Sequence, residues 1–320
     1  MLIKSADDKA KRLHLLEDLQ SSPLLNREQR DWLKKEFWAV RNGIEGERDA
    51  AHYIDRHFHD SENHVVLHDL RLIDDGEVAQ IDHLVIGRAF IFYLLETKCY
   101  RGNLLINDHG EFTVDYGKGI RYGVPSPIEQ SKRHEAVLLR VLERMGITGR
   151  TQGKPLIKHA VLIHPRGIIT RPNPERFDTR DVIKADQFGN WRDQFVDKGL
   201  GVGKVLTAML NLRSLDTIAE WGRMLKRQHR PQDLLALPDF LQPRRPVASD
   251  PPQSPAEHGS RPAAKSQAGG AEEQSGQKKR LICATCGVKI SYPEGKFCWN
   301  NPERFGGQQY CRAHQGNFPR

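Results

Sequence analysis

Two short apolar runs in the first third of the chain constrain its fold most strongly. Residues 80–87 read Gln-Ile-Asp-His-Leu-Val-Ile-Gly, and residues 90–98 read Phe-Ile-Phe-Tyr-Leu-Leu-Glu-Thr-Lys. Both runs are rich in β-branched or aromatic residues and a short break separates them, which predicts an antiparallel hairpin. A tight turn there makes paired residue numbers sum to about 176–178, so that Asp82 lies opposite Leu94 or Glu96.

This hairpin predicts a small charged patch at the ends of its strands. Glu96 and Lys98 are two residues apart and therefore share a face, and opposed residues of a ladder also point to one face. Asp82, Glu96 and Lys98 should then converge. Two carboxylates this close repel each other unless a cation lies between them, and a divalent metal with oxygen ligands suits that position. The backbone carbonyl of Thr97 can reach the same ion.

Glu47 supplies a third acid from the helix that precedes the sheet. A metal, a lysine and an oriented water together suit the hydrolysis of a phosphodiester bond. Two structural alternatives stay open. Glu96 and Lys98 can form a plain surface ion pair beside an unrelated Asp82, and Glu47 can serve only to stabilise a first helical turn.

Four fragments occur in order along the chain: Gly43-Ile44-Glu45-Gly46-Glu47, Gln80-Ile81-Asp82-His83, Glu96-Thr97-Lys98 with Tyr100-Arg101-Gly102, and Pro127-Ile128-Glu129-Gln130. Together they resemble the NERD (nuclease-related domain) family, within the PD-(D/E)xK restriction-endonuclease-like group. They cover roughly residues 40–160, under half of the chain. One departure is Cys99, where the family usually has asparagine. That position points away from the predicted ligands by strand alternation.

The resemblance implies a metal-dependent nuclease. Glu47, Asp82 and Glu96 would bind Mg²⁺ or Mn²⁺, Lys98 would be catalytic, and Gln130 would face the site from its helix. It also implies an α/β fold: a restriction-endonuclease-like α/β/α core with a mixed sheet. The alternative is an inactive adaptor that binds nucleic acid or protein on a nuclease-like fold.

The hydrophobic pattern predicts helices and strands in alternation. The predicted helices are 6–20, 27–41, 45–58, 127–145, 202–212 and 214–228, with Gly43 ending the second of them. The predicted strands are 64–69, 79–86, 90–98, 104–107, 112–115, 158–164 and 181–184. We expect N-terminal helices in 1–40, a NERD-like domain with a helical C-terminal part in 41–240, a disordered linker in 241–280 and a small zinc ribbon in 281–320.

The end of the chain carries a metal-binding pattern. Cys283 and Cys286 form one pair with two-residue spacing, Cys311 and His314 form another, and 24 residues lie between the pairs. Such paired knuckles place four ligands around a tetrahedral Zn²⁺. A rival set replaces His314 with Cys298. A segment of about forty residues cannot bury enough core to fold alone, so zinc would supply the missing stability.

Charge and composition indicate a nucleic-acid partner. Of the formal charge of +8, most lies in residues 242–320, which hold seven Arg and five Lys against six acids. Basic groups contact phosphates and interleaved aromatics stack on bases, so the zinc module should aid binding, with DNA the first expectation. We expect no membrane span and a cytoplasmic location. The sequence leaves protein partners unknown.

Overall fold

A computed structural model of the chain describes residues 1–150, 153–199, 202–241, 281–286, 288–305, 308–316 and 318. Contacts divide the chain into two compact units, Met1–Pro246 and Val247–Arg320. Of the predicted linker, only Leu241 is described; residues 242–280 lie outside the described part, and their predicted disorder stays a prediction.

The first unit holds all ten named strands and six helices of the described residues. The strands are Leu2–Lys4 (β1), His64–Asp74 (β2), Glu77–Gly87 (β3), Ile91–Lys98 (β4), Asn103–Ile106 (β5), Phe112–Asp115 (β6), Arg121–Val124 (β7), Leu156–Ile163 (β8), Ile169–Thr170 (β9) and Val182–Lys184 (β10). The helices are Ala10–Gln20 (α1), Arg27–Phe58 (α2), Pro127–Arg144 (α3), Phe188–Gln194 (α4), Val202–Leu210 (α5) and Leu215–Gln228 (α6). Short 3₁₀ turns lie at Ala185–Gln187 and Asp239–Leu241, and a π turn lies at Phe195–Gly199.

A mixed six-stranded sheet is the centre of the first unit. Its strand order is β1-β2-β3-β4-β8-β10. β2, β3 and β4 are antiparallel neighbours, while β8 runs parallel to both β4 and β10. The predicted hairpin is confirmed, because His83 lies opposite Leu95 and Gly87 lies opposite Ile91.

Helices cover both faces of this sheet. On one face, Leu138 and Val141 of α3 and Ile218 of α6 pack into a core with the even-numbered side chains of β4. On the other face, Ile54 of α2 and Phe188 of α4 pack with its odd-numbered side chains. Because successive strand residues point to opposite faces, one strand feeds both cores. The predicted α/β/α fold class is confirmed.

The N-terminal helices differ from the prediction. α2 is one continuous helix through Gly43 rather than two, and Asn26 begins it with a capping box to Gln29. Gly46 does not end the helix either; it lets the helix approach the sheet, since a Cβ there would lie 2.6 Å from the Cβ of Cys99. The first helix begins at Ala10 rather than at residue 6, and β1 at Leu2–Lys4 precedes it in the chain. No helix in the described part of the chain is long and apolar enough to span a membrane.

A smaller sheet with strand order β7-β6-β5-β9 packs beside the large one. Leu104, Phe112 and Val114 bury its inner side against Val161 and Ile163 of β8. Its β6–β7 turn carries glycines with positive φ at Gly117 and Gly119, which allow a tight tip. This sheet therefore holds a hairpin beside the end of β4.

The second unit is small and is described here by itself. Its helices are Tyr292–Trp299 (α7), Pro302–Phe305 (α8) and Arg312–Gln315 (α9). An antiparallel bridge between Ile282 and Lys289 closes the loop that carries the first cysteine pair. Among the described residues of this unit, only a few apolar side chains are buried, and Ile290 and Phe305 are two of them.

Candidate active site

The site begins where β3 and β4 separate. Their ladder ends at His83 and Leu95, so the next facing positions are Asp82 and Glu96. The backbone N–H of Thr97 donates instead to Oδ2 of Asp82, at 2.7 Å. The carbonyl of Lys98 accepts from the strand on the other side, at His164. Because the N–H and C=O of one strand residue point to the same side, we expect the carbonyl of Thr97 on the Asp82 side of β4.

Asp69 extends this pair of acids into a row across three strands. The β2–β3 ladder passes from His68 opposite His83 to Leu70 opposite Ile81, which sets Asp69 opposite Asp82. Asp69 is buried and has a left-handed backbone with φ of 54°. Its Oδ2 accepts from the backbone N–H of Asp7 at 3.1 Å, and Gln80 also donates to its carboxylate.

Glu47 faces this row from α2. The close approach at Gly46 brings that helix against the end of β4. Lys9, just before α1, donates to Oε2 of Glu47 at 2.8 Å and lies 3.3 Å from Oδ2 of Asp69. One ammonium group therefore connects the helical acid with the row of acids on the sheet.

Glu96 is the most deeply enclosed of the three predicted acids, with 2% of its surface exposed. Nζ of Lys98 donates to its Oε1 at 2.6 Å. Nδ1 of His134, from α3, lies 3.5 Å from its Oε2. The Glu96–Lys98 ion pair expected as a structural alternative is thus present, but it lies inside the group of acids rather than alone on the surface.

The pKa values reflect the crowding of these carboxylates. Burial raises the pKa of Asp82 well above its ordinary value of 3.8, and the charges of Glu96 and Glu47 raise it further. Burial also raises the pKa of Glu47, an effect that Lys9 opposes and that Asp69 and Glu96 reinforce. Burial alone would lower the pKa of Lys9, but the charges of Glu47 and Asp69 raise it. Ionising Glu47, Asp82 and Glu96 together is therefore unfavourable with the protein's own partners alone.

Glu47, Asp82, Glu96 and Lys98 line one open cleft, of about 660 Å³. We call it the acid cleft. Its lining residues are Lys34, Lys35, Trp38, Ala39, Asn42, Gly43, Glu47, Asp82, Glu96, Thr97, Lys98, Cys99, Tyr100, Arg101, Tyr116 and Gln130. All six residues predicted for the nuclease site are in that set. Cys99, which strand alternation predicted to point away from the ligands, also lines the cleft. The carboxylate and carbonyl oxygens are the donors that Mg²⁺ and Mn²⁺ prefer, so the residues present fit such an ion.

The second candidate site is the Cys–His cluster, formed by Cys283, Cys286, Cys311 and His314. Their potential ligand atoms all lie within 4.8 Å of one another. Sγ of Cys311 is 3.2 Å from Nδ1 of His314 and 3.9 Å from Sγ of Cys286. Across the described residues, no other set of three or more Cys, His, Asp or Glu side chains meets that distance. Three thiols and an imidazole suit a tetrahedral zinc ion.

Cys298 lies apart from this cluster. It is fully buried, and its Sγ accepts hydrogen bonds from the backbone N–H of Tyr310 and the side-chain amide of Gln315, both at 3.4 Å. Desolvation opposes ionisation of Cys283, but backbone N–H groups of Cys311 and Cys286 lower its pKa to about 5. A thiolate is the form that binds a metal. The favoured ligand set is brought together, and the rival set with Cys298 is not.

Comparison with known protein families identifies the central part of the chain. Residues 42–169 match the family model of NERD, the nuclease-related domain. This part of the chain is similar to the nuclease-related domain, and the match covers 128 of the 320 residues. No curated protein and no solved structure gave a significant match.

The matched range includes every residue predicted for the acid cleft, but other residues that line the cleft or contact its acids lie outside that range. Glu47, Asp82, Glu96, Lys98 and Gln130 lie inside the matched range. The basic and aromatic wall of α2 at 34–38 lies before it, as does Lys9, and the Cys–His cluster lies after it.

Sequence reasoning missed three groups at this site: Lys9, Asp69 and His134. Asp69 interrupts an apolar strand as Asp82 does, and that signal was available. His134 follows Gln130 by four residues and so lies on the same face of α3. Lys9 has no local signal, because its contact with Glu47 spans 38 residues.

Proposed function

We propose that the chain is a divalent-metal-dependent nuclease that hydrolyses phosphodiester bonds, with DNA as its substrate. One observation carries the proposal: three acids from separate segments and a lysine line a single cleft. The nuclease-related domain at 42–169 supports it. The alternative, an inactive adaptor, lacks a comparable observation in its favour.

Glu47, Asp82 and Glu96 would hold Mg²⁺ or Mn²⁺ with the Thr97 carbonyl. When bound, the ion supplies Lewis-acid stabilisation of the phosphate and a more acidic water. Lys98, held at 2.6 Å from Glu96, orients a water or neutralises negative charge that develops on the phosphate. Gln130 borders the same space and can hydrogen-bond the attacking water or a phosphate oxygen.

The test is cleavage of plasmid and single-stranded DNA and of RNA with Mg²⁺. We expect Lys98→Ala and Asp82→Asn to lower the rate by about a hundredfold or more. Lys158→Ala is the matched control, since it removes a similar strand lysine paired at 2.7 Å with Asp181, outside the acid cleft. Equal rates for Lys98→Ala and wild type would exclude the proposed role of Lys98. Binding without any cleavage would identify the adaptor, and cutting of RNA alone would replace the DNA assignment.

We also propose that the Cys–His cluster binds Zn²⁺ and that its unit helps to hold nucleic acid. Lys289 and Lys296 are exposed there, as are Phe297 and Trp299. If both lysines contact phosphates, the double variant Lys289→Ala/Lys296→Ala should reduce the salt dependence of binding by about two counterions. An unchanged salt dependence would make the unit a candidate for protein binding instead.

A further inference from the structure

The wall of the acid cleft carries groups that the proposed hydrolysis does not use. They are the exposed Lys34, Lys35 and Trp38 on α2, Arg101 after β4, and Tyr116 on the β6–β7 turn. Basic and aromatic side chains together are the chemistry with which proteins bind unpaired nucleic-acid strands. Three of these residues precede the matched range of the nuclease-related domain.

Trp38 and Arg101 form a fixed pair on one side of the cleft. The guanidinium of Arg101 lies over the Trp38 ring, at 4.6 Å from its centroid, and donates to Oδ1 of Asn42 at 3.0 Å. The guanidinium of Arg41 lies 5.2 Å from the same ring. Trp38 nevertheless remains 44% exposed. A held guanidinium beside an exposed indole can contact a phosphate and an adjacent base at once.

Tyr116 stands on a different element of the wall. It is 50% exposed, and a backbone hydrogen bond from its N–H to the carbonyl of Ile120 closes the turn. Asp115 reinforces the turn by accepting from Arg121 and from the N–H of Gly117. The ring of Tyr122 contacts the ring of Tyr116 edge-on, with centroids 6.0 Å apart, but Tyr122 does not line the cleft. The aromatic ring is thus presented from a stable hairpin.

The floor of the cleft limits what can reach the acids. Glu96 is almost fully enclosed, the side chain of Lys98 is 23% exposed, and Trp38 and Tyr116 line the same cleft, so a phosphate that reaches Lys98 through the cleft comes close to aromatic side chains. In a duplex, the faces of the bases are covered by their stacked neighbours, and exposing one costs unstacking energy. An unpaired strand offers those faces to Trp38 and Tyr116 without that cost.

We propose that the acid cleft takes a single-stranded DNA segment, with phosphates on the basic groups and bases stacked on Trp38 and Tyr116. This inference rests on the proposed function, because only a nuclease would cut the bound strand. The preference for single-stranded over duplex DNA in binding does not depend on cleavage. It names the form of the substrate and assigns the α2 wall as a binding surface.

The test measures binding of the zinc-loaded full chain without added Mg²⁺ or Mn²⁺ and without chelator, by fluorescence anisotropy, with a labelled 20-nucleotide single strand and with its duplex. We expect tighter binding to the single strand, and a loss of about tenfold in Tyr116→Ala and in Trp38→Ala. Tyr122→Ala is the matched control, because it removes the same side chain from the same hairpin outside the cleft. Tyr116→Phe and Trp38→Phe should retain most of the binding, since a ring remains available to stack.

Equal single-strand affinity in Tyr116→Ala and Tyr122→Ala would overturn the inference, as would equal wild-type affinity for both DNA forms. Circular dichroism and melting temperature check that each variant is folded. Failure of the proposed function shows separately, as absence of Mg²⁺-dependent cleavage by the wild type. A chain that does not cut but loses single-strand binding only in the cleft variants still supports the inference.

Discussion

The acid cleft and the Cys–His cluster are both candidate metal sites, but different forces hold their ligands. In the Cys–His cluster, the four ligand atoms lie within 4.8 Å of one another. In the acid cleft, each predicted acid instead contacts a donor or cation of the protein: Lys9 for Glu47, Thr97 for Asp82, and Lys98 for Glu96. The ligand atoms of the Cys–His cluster already lie close together, whereas each acid of the acid cleft is held by its own protein partner.

The surroundings of the two sites explain this difference. The acid cleft is built on a sheet with a helix-covered core on each face, so its side chains are positioned by packing. The Cys–His cluster belongs to a unit with few buried apolar side chains among its described residues. A unit that small depends on its cross-links or its metal for stability. The metal should therefore act as a cofactor in the first unit and as a structural element in the second.

Metal removal should separate the two units most sharply. We expect chelation, or Cys286→Ser, to abolish stoichiometric zinc and to unfold the unit that contains 281–318, because a structural zinc supplies about 10–16 kcal/mol in comparable peptides. Amide hydrogen exchange should rise by orders of magnitude there and remain unchanged in β3 and β4. Zinc content is measured on the same samples.

Cys298→Ser is the control for that experiment. Its thiol lies outside the cluster and accepts hydrogen bonds from Tyr310 and Gln315, so zinc content should stay near one per chain. Zinc loss in Cys298→Ser with retention in a His314→Ala variant would show that the rival ligand set is the real one.

Replacing a predicted ligand of the acid cleft by a neutral residue should raise the stability of the metal-free protein, whereas replacing a zinc ligand should lower it. Burial and neighbouring acids raise the pKa of Asp82, so ionising it costs more in the folded than in the unfolded chain. That contribution to stability is present below the unfolded value near 3.8 and is lost as the pH rises through the folded pKa. At pH 8 without metal, we expect Asp82→Asn to stabilise the protein by about 1–2 kcal/mol.

The pH dependence and the response to Mn²⁺ both check this expectation. The advantage of Asp82→Asn in thermal unfolding should shrink toward pH 4. Saturating Mn²⁺ should stabilise the wild type by about 2.7 kcal/mol at a hundredfold excess over Kd, and the variant much less. A variant less stable than wild type at pH 8 would show that Asp82 is not strained by its neighbours.

The hairpin that carries the acids was predictable because a two-residue period and a short turn determine its register. The register between β2 and β3 was equally predictable from the sequence. Asp75-Gly76 is a hairpin turn with positive φ at both residues, and it sets Asp69 opposite Asp82. The predicted strand 64–69 stopped before that turn, so the third acid of the row was missed.

Other features required tertiary information. Gly43 predicted a helix end, yet α2 continues through it. Gly46 allows the helix to pack closely against the end of β4, whereas a Cβ at Gly43 would meet no atom within 4 Å. β3 and β4 stop pairing on the N-terminal side of His83 in β3, and the sequence gives no signal for this separation. Contacts from the N-terminal segment depend on β1 pairing with β2, which places Lys9 beside acids far along the chain.

Lys9 should give the smallest effect and the finest test of the comparison. Its ammonium balances Glu47 and Asp69 in the structure, so Lys9→Met leaves two carboxylates facing each other without it. Since the pair is partly exposed, we expect the free energy of unfolding to fall by about 1–2 kcal/mol without metal, between the values typical of surface and buried ion pairs.

Mn²⁺ supplies the missing positive charge, so it should raise the melting temperature of Lys9→Met more than that of the wild type. Lys11→Met, which changes an exposed lysine on α1, is the control and should behave as wild type. If Mn²⁺ stabilises Lys9→Met less than the wild type, Lys9 helps to hold the ion's ligands in place rather than substituting for the ion, and the acid cleft then depends on the N-terminal segment for metal binding as well as for folding.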